Sequence, residues 1–80
     1  MTTPKEQYYA STDGVTYNIG PHDTLEQAYE RAFEVLNHDG DDLTVWVSSE
    51  AQEDCTTTNS EEVRMDGLTG FVYVDGVAVL

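Results

Sequence analysis

The chain has 80 residues, with 16 Asp and Glu against 3 Lys and Arg, a formal net charge of −13. Three cations cannot neutralise a phosphate backbone, which excludes direct DNA or RNA binding and disfavours an anionic membrane surface. The length allows one domain, residues 1–80, with one small core, and eight aromatic residues argue against full disorder.

In chain order, Tyr8-Tyr9-Ala10-Ser11-Thr12 and Val15-Thr16-Tyr17-Asn18-Ile19 flank Asp13-Gly14. Asp-Gly between aromatic and β-branched runs predicts a tight hairpin, because both central residues of a type I′ turn need positive φ. Gly20-Pro21 then reads as the break after the second strand. A helix follows, with Asp23 or Thr24 as N-cap and Glu26 or Gln27 completing a capping box. Leu25, Ala28, Tyr29, Ala32, Phe33, Val35 and Leu36 recur at helical spacing as an apolar stripe. Asn37, His38, Asp39 and Gly40 supply the stop, with Gly40 the natural C-cap.

Leu43 to Ser49 reads as a strand, with Leu43, Val45 and Val47 on one face and Thr44, Trp46 and Ser48 on the other. Residues 49–60 are polar and mainly loop, with room for a short helical turn capped by Ser48 or Ser49. Val63-Arg64-Met65, a turn at Asp66-Gly67 and Phe71 to Val74 predict a second hairpin. Asp75-Gly76 predicts another turn, and the apolar end Val77 to Leu80 is expected to pair in the sheet as a short last strand. The expected architecture is α+β, ββ-α-β-ββ. It is an antiparallel sheet of four to six strands with one helix packed across it.

The charge is uneven. Residues 23–66 hold thirteen acids against Arg31 and Arg64, a net −11. Glu26, Glu30 and Glu34 stand at i, i+4 and i+8, a single stripe with about 6 Å between neighbours. Like charges so spaced destabilise a helix by a few tenths of a kcal/mol per pair, roughly. Arg31 relieves some of this by pairing with Glu34 at i+3. Asp39, Asp41 and Asp42 extend the stripe past the helix C-terminus, where the macrodipole also disfavours anions.

Three explanations compete for this repeated cost. One is solubility, a charged face kept in water. A second is adaptation to high salt, which many acids, almost no Lys and ten Thr resemble. The third is imitation of a nucleic-acid backbone, with carboxylates presenting to a basic groove what phosphates present. On size, net charge, the stripe Glu26-Glu30-Glu34 and the acid-rich run from Asp39 to Asp66, the chain resembles small acidic phage-encoded inhibitors. These include DNA mimics that block restriction enzymes or repair glycosylases, and anti-CRISPR proteins. Such proteins share no common motif, so the resemblance is one of type and transfers no residue.

Other chemistry finds little footing. Asn37-x-Asp39-x-Asp41 begins like a calcium loop, but Asp42 stands where Gly is required and Ser48 where the bidentate Glu belongs. His22, His38 and Cys55 lack zinc-ligand spacing, and no cofactor or metal is expected. Cys55 lies among acids, which raise a thiol pKa rather than activate it. An acyl carrier protein shares this size and acidity, but it needs a mostly helical chain and a modified Ser in an Asp-Ser-Leu setting. The lone Cys55, an N-terminus without a signal-peptide core and the lack of a long apolar run fit the cytoplasm.

The expected function is therefore that of a non-enzymatic inhibitor whose acidic face blocks the basic nucleic-acid site of a host defence protein. Glu26, Glu30, Glu34, Asp39, Asp41 and Asp42 would carry the contact, with Glu50, Glu53, Asp54, Glu61 and Glu62 as a second patch. Trp46 and Tyr73, with Tyr9 a candidate beside them, either complete a curled small core or form an open face for homodimerisation or docking. The alternative is an acidic adaptor or antitoxin-like module that uses this aromatic face, its charge serving solubility.

Overall fold

The computed structural model describes residues 7–37, 39–50, 55–57 and 59–79. Helix formation begins at Thr24, an extended N-cap whose Oγ1 accepts the Gln27 N–H at 3.1 Å. Gln27 Oε1 in turn accepts the Asp23 N–H at 3.1 Å, so the return arm of the capping box reaches one residue before the cap. The helix α1 (Leu25–Leu36) stops at Asn37, not at the expected Gly40. Asn37 takes a left-handed φ of 50° and donates its N–H to the Phe33 and Glu34 carbonyls. Asn tolerates that conformation and satisfies the last carbonyls three residues earlier.

Six strands form one antiparallel sheet: β1 (Tyr8–Ser11), β2 (Ile19–His22), β3 (Leu43–Ser48), β4 (Glu61–Met65), β5 (Val72–Val74) and β6 (Val77–Ala78), in the order β2-β1-β3-β4-β5-β6. The α+β reading with one helix after the first two strands therefore holds. The first hairpin differs from expectation. Val15 to Asn18 is not strand, and Gly20-Pro21 lies inside β2 rather than ending it. The Asp13 carboxylate explains the shift: its Oδ1 accepts the N–H groups of Val15 and Thr16 at 2.8 and 2.9 Å, holding a loop where a two-residue turn was expected. Pro21 is accommodated because β2 is an edge strand, with one side free of ladder partners.

The other turns follow their sequence more closely. Asp75 and Gly76 both have positive φ, 50° and 83°, as a tight β5–β6 turn requires. Asp75 also exchanges two hydrogen bonds with the Glu62 backbone. The β4–β5 connection is longer than Asp66-Gly67, running to Gly70, with Asp66 Oδ1 accepting from Leu68 and Thr69. Ser48 Oγ accepts the Glu50 N–H and donates to the Glu50 carbonyl, a local turn. Beyond it, most of the helical turn considered there lies outside the described residues.

Ala10, Val45, Val47, Val63 and Val72 of the sheet pack with Ala28, Tyr29, Ala32 and Phe33 of α1 to form the core. The two alanines let the helix backbone approach the strands closely. Val35 and Leu36, placed in the apolar stripe by periodicity, are 52% and 37% exposed. The buried face is narrower than the pattern implied because α1 packs chiefly on β1, β2 and β3. Val63 of β4 and Val72 of β5 still reach this core, and the outer edge at β6 extends beyond it.

Candidate functional site

Position along α1 decides what its acids do. Glu30 and Glu34 flank Phe33, and with Asn37 and Met65 they line a groove of about 480 Å³ between the helix and β4. Glu26 stands one turn before Glu30 on the same row and is exposed. The row thus forms the wall of a groove whose floor is apolar. Arg31 Nη1 lies 2.9 Å from Glu34 Oε2, the expected i, i+3 pair, with both side chains more than half exposed. Such a pair adds little stability in water. The Tyr29 hydroxyl is pushed above the ordinary phenol range by burial first, then by the charges of Glu26 and Glu30.

At the groove end marked by Asn37 and Met65, two turns meet. Asp42 Oδ1 accepts the Gly67 N–H at 2.8 Å, and a Cβ on Gly67 would collide with the Gly40 carbonyl. Asp39 and Asp41 are exposed beside this junction. Asp42 therefore has a structural task, whereas Asp39 and Asp41 are held outward by a fixed backbone.

Of the second group of acids, Glu61 and Glu62 do not share a face. In the β3–β4 register Glu61 stands opposite Val47 and Glu62 opposite Trp46, so the two point to opposite faces of the sheet. Glu61 lies near Leu25 at the start of α1. Glu50 is exposed after β3, and Glu53 and Asp54 lie outside the described residues.

Trp46 and Tyr73 do share the face away from α1, but β4 separates them. Glu62 is opposite Trp46, and Arg64 is opposite Tyr73. The Arg64 guanidinium stands 5.5 Å from the Tyr73 ring centroid, a cation–π contact. Gly14 packs on the indole of the half-buried Trp46, and Ser11 Oγ donates to Asp13 at 2.7 Å to brace the loop. The Tyr17 N–H ties the loop to the Cys55 carbonyl at 2.7 Å. Tyr9 is half-buried and stands opposite Ser48, whose hydroxyl meets Thr57. On β1 and β3 this face is thus partly covered, with Tyr9 and Trp46 half-buried.

Two carboxylates are tuned by backbone donors. Asp13 is lowered from 3.8 to about 2, chiefly by the Thr16 N–H, then by Ser11 and Val15. Asp66 is lowered by the N–H groups of Leu68 and Thr69. Both hold loops and belong to the scaffold. His22 is half-buried, its Nε2 shielded and without a hydrogen-bond partner, while His38 lies outside the described residues. Among the described residues no group of three or more His, Cys, Asp or Glu side chains could hold a metal ion. Among them, too, no helix is long and apolar enough to cross a membrane.

Sequence reasoning found the groove's acidic wall but not its apolar side. Met65, Val74 and Val77 point to the helix side of the sheet by the register Val63↔Val74, Met65↔Val72 and Val74↔Val77. Val77 is 66% exposed there. The signal lay in the alternation of residues 72–79, which places Val72, Val74, Val77 and Val79 on one face once the Asp75-Gly76 turn is counted. No family model matches the chain, and no curated protein or solved structure matches it.

Proposed function

We propose that this chain is a non-enzymatic inhibitor that sets the acidic side of α1 against the basic nucleic-acid-binding site of a partner protein. The role is of the phage anti-defence, anti-CRISPR-like kind that its size and charge resemble. What supports this reading is the exposed row Glu26, Glu30 and Glu34, relieved on its own helix by Arg31 alone, leading to exposed Asp39 and Asp41. An aligned row of carboxylates meets a basic groove as a strand of phosphates does, and binding releases the counterions of both surfaces. The charge would also steer and accelerate encounter. A face kept acidic at a cost to helix stability is accounted for by a partner that neutralises it.

The test is capture on the immobilised chain at low salt, followed by elution with excess duplex DNA. The expected result is a nucleic-acid-binding protein that is released by DNA and by rising salt. It should not be captured by a variant carrying Glu26→Lys, Glu30→Lys and Glu34→Lys. Retention against DNA, or equal capture by the variant, overturns the reading. Salt adaptation is separated by the free chain alone: a mimic stays folded at about 50 mM salt, whereas a salt-adapted protein unfolds there and regains its fold in molar salt.

A further inference from the structure

The geometry points to a second helix, supplied by the partner, that lies in the groove beside α1 and packs on Met65 and on the open helix-side valines at the β5–β6 edge. This inference rests on the reading of α1 as a binding surface and names the shape and chemistry of what binds. Width comes first. Six strands spaced by about 4.8 Å span roughly 24 Å, while a helix with its side chains is about 10 Å across. The single helix packs chiefly on β1, β2 and β3, and Val63 and Val72 of β4 and β5 are already buried in the core, so the open part of this face is the groove at Met65 and the outer edge at Val77 and Val79.

That open part is apolar where a helix would sit. Met65 lines the groove, Val74 is half-buried next to it, and Val77 is 66% exposed on the outermost strand. The Val79 N–H donates to the Val72 carbonyl at 2.9 Å, carrying the pairing one residue beyond β6 and leaving Val79 48% exposed. One wall of the groove is Glu30 and Glu34. An occupant must therefore bury an apolar side against the strands and set cations along the flank facing α1. A basic amphipathic helix satisfies both demands, reading the groove through residues at i, i+3, i+4 and i+7. A second copy of this chain does not, because each copy brings a charge of −13 and the same acidic wall.

The probe is a synthetic amphipathic peptide of about 15 residues, long enough for roughly 22 Å of helix. It carries Leu on one side and Lys along one flank, and its control is a scrambled peptide of equal composition. Titrated into the isotopically labelled full chain, it should become helical and move the NMR signals of Met65, Val74 and Val77. Val77→Asp, at an exposed position, should leave thermal unfolding unchanged and weaken binding about tenfold. The double variant Glu30→Lys, Glu34→Lys should weaken it by a similar factor.

If the charge variant loses binding while Val77→Asp does not, the groove proposal falls and the acidic-face reading stands. If neither variant changes binding, both fall. Equal binding of the scrambled peptide, or no binding of the amphipathic one, also overturns the groove proposal. So does a dimer of the free chain in sedimentation that Val77→Asp dissolves.

Discussion

A methyl group on Gly14 would stand 3.2 Å from Cδ2 of Trp46, so the Gly14 backbone lies against the indole. Gly14 also has φ +75°, where a side chain is strained. This contact leaves Trp46 half-buried.

Gly14→Ala should therefore cost stability twice over, through the left-handed backbone and through the ring. The backbone part alone is about 1–2 kcal/mol. In a domain of this size each kcal/mol lowers Tm by roughly 4–8 °C. Trp46 is the sole tryptophan, so its emission should shift to the red as the loop lifts. An unchanged Tm and emission would show that the loop does not hold the ring.

Asp13 links that loop to pH. Its pKa of about 2 lies below the ordinary 3.8, so the carboxylate favours the fold when ionised. The contribution is complete above the unfolded value and is lost as pH falls from about 4 towards 2. Side-chain carboxyl NMR should show Asp13 titrating below the exposed acids. Asp13→Ala should be less stable than the parent near neutral pH, with the difference shrinking through that acid window.

Glu30→Lys should stabilise the free protein. It replaces two like-charge neighbours with two attractive ones, to Glu26 and Glu34, worth about 1 kcal/mol in total. The gain should fade in molar salt. Denaturant unfolding at low and high salt measures it, and binding of the basic partner should fall in the same variant. Stability and binding moving in the same direction would contradict the role given to the stripe.

Gly67→Ala tests the acidic end of the groove. Because its Cβ would overlap the Gly40 carbonyl, residues 40–42 and 66–70 must separate, and the Asp42–Gly67 hydrogen bond is expected to break. A marked loss of thermal stability should follow, along with faster exchange of the amide at position 67. Gly70→Ala supplies a comparison in which the backbone is strained at φ +75° but nothing lies near the added methyl. Equal losses in the two variants would remove the steric junction as the cause.

Local chemistry was legible wherever neighbouring residues decide the outcome. The Thr24 cap, the helix period, the Asp75-Gly76 turn and the Arg31–Glu34 pair all depend on partners within a few positions. The first hairpin was misread because Asp13-Gly14 has two local solutions. A two-residue turn would satisfy φ, but the side chain instead captures the N–H groups of Val15 and Thr16. Asn37 displaced Gly40 as the cap for a similar reason, since either residue accepts a left-handed backbone and the nearer one closes the helix first.

The sequence by itself determined the charge, its concentration in residues 23–66, the helix with its row of glutamates and the α+β class. These rest on composition and on periods of 3.6 and 2, which need no knowledge of distant contacts. Tertiary structure alone decided which surfaces remain open. It laid Gly14 against Trp46, sent Glu61 and Glu62 to opposite faces, and left Val77 and Val79 at the edge of the sheet exposed. The glutamate row became the wall of a groove because residues far apart in the chain, Phe33 and Met65, meet beneath it. Exposure is a property of packing, and strand order rather than sequence order fixes what a side chain packs against.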